Sequence, residues 1–328
     1  MFKFNLTAKC VFIGMALLSS TLAASAQDWP NRPVKIVVPF AAGGSGDTLA
    51  RIVAQHLSVA LKQQFVVENR PGGGGIIGTQ QFLAAPPDGY TIGMTNLSTL
   101  TLVPLINPTG SYDPIGDFKH IAYIGGAPVV LAANPSTGAK DLKEFIAFAN
   151  APGKAFTFAS SGVGSDGHLM GEAIAAALKV KSEHVPYRAT AQALNDIVAG
   201  HVPFSTFTLS STAAFLRAKT LNGIAVTSPD RMPDFPDLPT FKELNHPGLI
   251  GTTWFSLSGP AQLPAEIVNK INRGVAEAVS TSDVQGRFRR DGFIAQQMSP
   301  AEFTQYVAAE NAKWKLVVDR AGLAGKPQ

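Results

Sequence analysis

The stretch VKIVVPFAAGGSGDTLARIVAQHL, residues 34–57, decides the fold of this chain. Residues 34–39 are apolar except for one lysine, which indicates a buried strand, and residues 41–46 form a loop of small side chains. Apolar residues then recur at helical spacing and make one apolar face, namely Leu49, Ile52, Val53, Leu57, Ala60 and Leu61. A helix is therefore expected from about Asp47, with Ser45 or Asp47 capping its N-terminus.

The same order of strand, small-residue loop and helix recurs along the chain, and it predicts an α/β fold with a parallel sheet. Apolar runs bounded by turn residues predict strands at residues 34–39, 65–68, 91–95, 121–124, 129–133, 155–159, 183–187, 204–209, 223–227 and 252–258. Helices are expected from about 47, at 76–84 and 166–178, and from about 264, 283 and 300. Glycines at 125 and 126 separate two of these strands.

A chain of 328 residues has the length of two domains. The chain is expected to cross from one domain to the other twice, because a second α/β unit begins after residue 134 and the last helices return to the first unit. The prediction is a first lobe of residues 27–125 and 254–328 and a second lobe of residues 126–253.

The N-terminus has the layout of a cleavable secretory signal. Lys3 and Lys9 precede an apolar stretch, and small residues end at Ala26. We therefore expect residues 1–26 to be removed and the mature chain to be exported to the periplasm. Cys10, the single cysteine of the sequence, lies in this segment, so the mature chain is expected to have no disulfide and no thiolate site.

Composition excludes several classes of protein. Hydrophobic residues make up 45% of the chain and charged residues 15%, which argues against disorder and against a coiled coil. The net charge is +4 and no run of five like charges occurs, so nucleic acid is not an expected partner.

The loops at residues 41–46 and 160–165 are the candidate ligand site, because each ends a strand and opens a helix. Such a loop presents unpaired N–H groups and the positive end of a helix dipole, which suits an anion. A carboxylate and a phosphate fit this chemistry equally well, and simple tight turns are the alternative reading.

Motifs of catalysis and of metal binding are missing from these loops. Neither loop continues into Gly-Lys-Ser/Thr, and the first breaks the dinucleotide pattern at its last glycine. Ser45 and Ser165 both fail the Gly-x-Ser-x-Gly pattern of serine hydrolases. The six histidines show no metal-ligand spacing, and only His168, beside the second loop, is a minor candidate.

A third cluster of polar residues is expected where the strand at residues 91–95 ends. Thr95, Asn96, Ser98 and Thr99 lie there, at the carboxyl edge of the sheet where ligands bind in α/β folds. The alternative is that Asn96 or Ser98 caps a helix.

With these residues identified, the chain resembles the Bug family, the exported solute receptors of tripartite tricarboxylate transporters. The resemblance rests on WP at 29–30, VVPFAAGG at 37–44, ENRPG at 68–72, PDGYT at 87–91, SSGVGS at 160–165, GHL at 167–169, HVPY at 184–187, AVTS at 225–228 and Trp254. It implies a two-lobed type II periplasmic-binding-protein fold, the Venus flytrap, with a hinge of two crossovers.

The resemblance also implies a function: a receptor that captures a small carboxylate and delivers it to a cognate membrane permease. It implies no catalysis, no cofactor and no metal, and we expect a monomer. A secreted carboxylate-processing enzyme and a ligand sensor for a periplasmic signalling partner are the alternatives. The ligand-binding residues it implies are Phe40, Ala41, Ala42, Gly43, Gly44, Ser45, Gly46, Thr95, Asn96, Ser98, Ser160, Ser161, Gly162, Val163, Gly164 and Ser165. The chemistry of their side chains adds Thr206, Phe207 and Thr208 to the expected site.

One departure from the family pattern concerns the ligand. Many relatives have Phe-Asp-Asn or similar where this chain has Ser205-Thr206-Phe207-Thr208, so an acidic residue is missing near the expected distal pocket. An amino-acid ligand would bury its ammonium without a partner there, whereas hydroxyls of Thr206 and Thr208 can donate to a second carboxylate. A dicarboxylate or an aromatic carboxylate is therefore favoured, with Phe207 either packing on the ligand or belonging to the core.

Closure of the two lobes over the ligand is the expected mechanism. The hinge is expected near Ile124 and Ser258, at the two crossovers. A β-branched residue in place of Gly44 or Gly164 is expected to weaken binding with little loss of fold.

Overall fold

The structure is a computed structural model that describes residues 29–107, 112–321 and 324–325. The predicted signal peptide, residues 1–26, and Cys10 with it, lie outside the described residues. Within the described ranges, no helix combines the length and the apolar character that a membrane span needs.

The chain folds into ten strands and ten α-helices, counted over the described residues. The strands are β1 (Val34–Val38), β2 (Phe65–Asn69), β3 (Thr91–Asn96), β4 (Phe118–Ala133), β5 (Phe156–Ser160), β6 (Ser182–Pro186), β7 (Phe204–Thr208), β8 (Asn222–Val226), β9 (Thr252–Pro260) and β10 (Ile294–Ala295). The helices are α1 (Ser45–Ala60), α2 (Ile76–Leu83), α3 (Val103–Ile106), α4 (Leu142–Ala149), α5 (Asp166–Leu178), α6 (Thr190–Val198), α7 (Leu209–Arg217), α8 (Ala265–Ser280), α9 (Ser282–Arg290) and α10 (Pro300–Ala321).

A first sheet joins β2, β1, β3, β9 and the N-terminal part of β4, with β10 at the far side of β4. Its β2, β1 and β3 are parallel, with Val34 opposite Phe65 and Lys35 opposite Thr91. The apolar run of β1 is explained by its position, because a central parallel strand is buried on both faces. Helices α1 and α8 pack together on one side, where Leu57 and Val275 share a buried cluster.

A second sheet joins the C-terminal part of β4 to β7, β5, β6 and β8. Strands β5, β6 and β7 are parallel, and β7 and β8 run antiparallel to β4. Helix α5 packs on β7 and β5, and its buried face includes Leu169 and Ile174. The expected parallel strands are thus present in each sheet, but β9 in the first sheet and β4 in both pair antiparallel with adjacent strands, which the sequence did not predict.

The two sheets define the two lobes of the molecule, and β4 belongs to both. The sequence predicted two strands here, interrupted at residues 125–128, but β4 is one strand of 16 residues. Gly125 and Gly126 pair with β9 and β10 rather than turning, because the carbonyl of Ile294 approaches Gly125 closely enough to exclude a side chain. These glycines mark a close approach of two backbones.

Pairing of β4 changes from the first sheet to the second between Pro128 and Val129. The other connection enters the first sheet at Thr252, where β9 begins. The hinge expected near Ser258 is displaced, because Ser258 lies within the first sheet opposite Gly93 and His120. The lobe boundaries at 125/126 and 253/254 stay a prediction.

Candidate functional site

A cavity of about 60 Å³ lies between the two lobes. Both lobes contribute to its wall, which consists of Phe40, Ala41, Gly44, Ser45, Gly46, Asn96, Ser161, Asp166, Gly167, Arg188, Thr190, Thr206, Phe207, Thr208, Ser211 and Phe255. Most of these residues follow the carboxyl ends of β1, β3, β5, β6 and β7. The cavity therefore lies where ligands bind in α/β sheets.

The N-terminal ends of four helices meet at this cavity. Ser45 and Gly46 open α1, Asp166 and Gly167 open α5, Thr190 opens α6, and Ser211 lies in the first turn of α7. In the part of the chain that the structure describes, α1, α6 and α7 have no side-chain cap on these ends. Four positive dipole ends therefore surround the cavity, and an anion is the ligand they stabilise.

Arg188 adds a full positive charge to the wall. It follows β6 and is the one basic residue among those that line the cavity. Within the described residues, its exposed guanidinium has neither a hydrogen bond nor an ion pair. This group is available to pair with a carboxylate, for which its planar fork is suited.

Asp166 places one carboxyl group in the same wall. The Thr253 hydroxyl donates to Asp166 Oδ2, and the side chain is half-buried. Burial raises the pKa of Asp166, and hydrogen bonds from Thr253 and from its own backbone only partly offset this. The expectation that the pocket lacks an acidic residue was therefore wrong: Asp166, rather than a residue at 205–208, supplies it.

The first loop, residues 40–46, is held by Asp47. Its carboxylate accepts from Gly43 N at 3.0 Å, Arg51 Nε at 3.1 Å and Asn69 Nδ2 at 3.0 Å. Burial raises the pKa of Asp47, but these hydrogen bonds and the charge of Arg51 outweigh it and leave the pKa below its ordinary value. The predicted N-cap is shifted, since Gly44 takes that position and Ser45 is the first helical residue.

Ser45 reaches across the cleft instead of capping its own helix. Its Oγ lies 2.6 Å from Thr208 Oγ1, 2.6 Å from Ser210 Oγ and 2.9 Å from Ser211 Oγ, all in the second lobe. Ser98 Oγ also donates across the cleft, to the Gly164 carbonyl at 3.1 Å. Direct hydrogen bonds between the lobes identify this arrangement as closed.

The second loop, residues 160–165, rests on a pair of stacked histidine rings. His184 Nε2 lies 2.6 Å from Ser160 Oγ, Gly164 N donates to His168 Nδ1, and the two ring centroids are 4.0 Å apart. Burial lowers the pKa of both rings, and that of His184 falls to about 3 with a further contribution from His168. Both rings are therefore neutral near pH 7, and they support the loop rather than line the cavity.

The polar residues at the end of β3 have different roles. Thr95 Oγ1 bonds to Ser256 Oγ at 2.8 Å within the first sheet. Asn96 lines the cavity, and its Oδ1 accepts from Thr99 N at 3.0 Å, as the capping alternative proposed.

The strand β7 contributes Thr206, Phe207 and Thr208 to the wall. The Thr206 hydroxyl donates to the Gly167 carbonyl at 2.7 Å, so its proton is not available to a ligand in this arrangement. Phe207 lines the cavity and also belongs to a buried cluster of the second lobe, so it is a core residue, and its packing on a ligand stays a prediction.

The structure brings part of the predicted site together. The predicted residues that line the cavity are Phe40, Ala41, Gly44, Ser45, Gly46, Asn96, Ser161, Thr206, Phe207 and Thr208. Those outside its wall are Ala42, Gly43, Thr95, Ser98, Ser160, Gly162, Val163, Gly164 and Ser165. Asp166, Gly167, Arg188, Thr190, Ser211 and Phe255 were missed. Arg188 could have been found, because it follows a predicted parallel strand just as Asn96 does.

Among the described ranges, no group of three or more His, Cys, Asp or Glu side chains is arranged to hold a metal ion.

Comparison with known proteins gives consistent matches over nearly the whole chain. A model of the tripartite tricarboxylate transporter family receptors matches residues 49–323. Protein BugT of Bordetella pertussis is 30% identical, over 97% of this chain and 98% of its own. A protein from the tcbD-tcbE intergenic region of Pseudomonas sp. strain P51 is 33% identical, over 96% and 95%.

Solved structures match at the level of the whole fold. The periplasmic binding protein BugD has a TM-score of 0.86 and 29% identity, covering 90% of this chain and 99% of its own. Rpa4515 of R. palustris, solved with adipate, has a TM-score of 0.87 and 33% identity over 90% and 99%. MatC of Rhodopseudomonas palustris, solved with malate, has a TM-score of 0.84 and 31% identity over 88% and 100%.

Proposed function

Because the chain belongs to the family of tripartite tricarboxylate transporter receptors, we propose that it captures a small carboxylate between its lobes and delivers it to a membrane permease. Its relatives are solute-binding proteins rather than enzymes, so the alternative of a carboxylate-processing enzyme is set aside.

The observation that carries this proposal is the convergence of four helix N-termini on one closed cavity. Each N-terminus carries about half a positive charge, and Arg188 adds a full one. Against them stands the single carboxyl group of Asp166. The wall is therefore complementary to an anion, and its backbone donors need no specific side chain to recognise a carboxylate.

A dicarboxylate or an aromatic carboxylate remains the favoured ligand. Two related receptors were solved with adipate and with malate. Asp166 widens the choice, because its carboxyl group can accept a hydrogen bond from a hydroxyl or ammonium group of the ligand. Hydroxy acids and amino acids therefore return to the candidates that the missing acidic residue had disfavoured.

The setting of this function is part of the proposal. Residues 1–26 act as a signal peptide, and the mature chain works in the periplasm as a monomer. Its lobes, residues 27–125 with 254–328 and residues 126–253, close by rotation about the two connections between the sheets. The permease is the partner that receives the ligand.

Calorimetry and thermal shift with succinate, malate, adipate, benzoate and aspartate test the proposal. Ligand at 100 times its Kd adds about 2.7 kcal/mol to the free energy of unfolding, which raises Tm measurably. Absence of binding across the whole panel, with a folded chain free of co-purified ligand, would rule out the proposed carboxylate specificity.

The variant Gly44→Val tests the site itself. Gly44 lines the cavity with extended backbone angles, so valine fits the backbone while its side chain occupies ligand space. We expect affinity to fall at least tenfold, about 1.4 kcal/mol, with Tm little changed. Gly248→Val, whose side chain would meet open space, is the matched control. Gly164 does not suit this test, because its φ of +75° strains any β-branched residue.

A further inference from the structure

We propose, on the basis of the carboxylate function above, that the ligand site continues past Arg188 into an apolar groove at the mouth of the cleft. The preferred ligand is then a carboxylate that carries an apolar chain or ring. The cavity holds its head group, and the groove holds its body.

The small size of the cavity favours such an extension. Its volume is about 60 Å³, less than a tenth of that of the space beside it. Phe207 and Phe255 line the cavity and are each 4% exposed, so they belong to its buried side. A ligand too long for the cavity extends away from these two rings, toward the cleft mouth.

A groove of about 670 Å³ borders the cavity and offers that space. Phe40, Ser161 and Arg188 line both. Beyond them the groove runs between two segments, one in each lobe, and its wall consists of Pro39, Pro71, Gly72, Gly73, Gly74, Gly75, Ile77, Gly162, Val163, Pro186 and Tyr187. The groove therefore adjoins the cavity at these three shared residues.

The lining of the groove is suited to an apolar occupant. Ile77 is 57% exposed and Val163 is 36% exposed in the closed arrangement, and both side chains line the groove. Arg188 is the only charged residue in its wall and lies at the shared boundary with the cavity. A carboxylate beside Arg188 directs an attached chain toward these uncovered apolar side chains.

Burial of apolar surface predicts how affinity depends on ligand length. Each buried methylene contributes about 0.8 kcal/mol, which corresponds to about fourfold in Kd. A ligand that ends at its head group gains nothing from the groove. We therefore expect affinity to rise from butanoate through hexanoate to octanoate, and phenylacetate to exceed butanoate.

Calorimetry of the purified chain with this series tests the proposal. Ile77→Asn replaces an exposed groove side chain with a neutral polar one, and we expect it to weaken octanoate and phenylacetate about fivefold while leaving succinate unchanged. Val59→Asn is the matched control, because Val59 is 78% exposed on α1 and lies outside the groove. Arg188→Gln should weaken all ligands by a similar factor, since it contacts the head group.

The outcomes separate this proposal from the one on which it rests. If succinate or malate binds while octanoate and phenylacetate bind no tighter than butanoate, the groove proposal is overturned and the carboxylate function stands. Equal effects of Ile77→Asn on succinate and octanoate also overturn it. If no carboxylate binds at all, the proposed function itself fails.

Discussion

Single residues set the charge of the site, and Asp166 is the one that opposes an anionic ligand. It shares the cavity wall with Arg188, and Thr253 donates a hydrogen bond to its carboxyl group. Two like charges about 5 Å apart repel by about 3 kcal/mol at an effective dielectric of about 20. The protonation state of Asp166 therefore decides how strongly the site attracts an anionic ligand that has no hydrogen-bond donor.

The variant Asp166→Asn is expected to bind succinate more tightly than the wild type by a factor that grows as the pH rises and Asp166 ionises, because it removes this repulsion and keeps the acceptor for Thr253. Calorimetry measures the difference. Asp230→Asn, a change of the same charge at an exposed residue of the second lobe, is the control and should leave Kd unchanged.

The pH dependence of stability gives a second test of Asp166. Because the pKa of Asp166 is raised in the folded chain, the folded state binds this proton more tightly than the unfolded state. Protonated Asp166 therefore stabilises the folded state fully at a pH below its ordinary pKa of 3.8. This stabilisation is lost as the pH rises through the raised pKa of the folded state. The variant should thus exceed the wild type in Tm at pH 7 and match it near pH 3.5. An equal difference in Tm at both values would contradict this reading.

For single residues, the sequence predicts which backbone N–H groups form the site better than it predicts which charged side chains do. Gly44 and Ser45 were identified because a strand, a small-residue loop and a helix are adjacent in sequence. Arg188 and Asp166 were not, because their place in the wall depends on how the second sheet and α5 meet the first lobe. Thr206 illustrates the same limit, since its hydroxyl donates to the carbonyl of Gly167 on α5, a contact between two different elements.

Among the elements, α5 and β7 show how a glycine positions the site. A Cβ on Gly167 would lie 2.3 Å from the Thr206 carbonyl, so the first turn of α5 approaches β7 as only glycine allows. This contact places the N-terminus of α5 against the cavity, beside Thr206 and Thr208.

The variant Gly167→Ala is expected to lower the free energy of unfolding by about 1–3 kcal/mol, because two backbone segments must separate. Gly286→Ala in α9 is the control of opposite sign, since its Cβ meets nothing closer than 3.8 Å and alanine favours a helix by about 0.5–1 kcal/mol. Urea denaturation measures both. A stabilising effect of Gly167→Ala would show that the approach of α5 to β7 is not constrained.

Helices were predicted correctly from the sequence where the residues that determine them lie within one segment of the chain. The predicted helix at 166–178 agrees with α5, because its cap and its apolar face lie within one segment. The strand β4 was divided wrongly, because glycines that read as a turn serve instead as contacts with β9 and β10, which are distant in sequence. The direction of β9 was not predicted for the same reason, because its antiparallel pairing depends on the return of the chain from the second lobe.

For the whole molecule, the balance between open and closed lobes governs apparent affinity. A ligand that requires the closed state binds in proportion to the fraction of molecules able to close. Ser98 tests this balance, because its hydroxyl lies closer to the Gly164 carbonyl across the cleft, at 3.1 Å, than to the Gly74 carbonyl of its own lobe, at 3.3 Å, while its side chain lies outside the cavity wall. The family resemblance implied that Ser98 contacts the ligand, whereas this bond gives it a role in closure.

The variant Ser98→Ala should therefore weaken every ligand by a similar factor. One net hydrogen bond is worth about 0.5–1.5 kcal/mol, so we expect a loss of about threefold to tenfold in Kd and a larger radius of gyration in small-angle X-ray scattering of the unliganded chain. Ser58→Ala is the control, because the bonds of Ser58 to Ala54 and Phe65 stay within the first lobe and should affect Tm without affecting Kd. If Ser98→Ala leaves both affinity and radius of gyration unchanged, the bond to Gly164 does not hold the lobes closed, and the ligand itself must supply the closing free energy through the four helix N-termini.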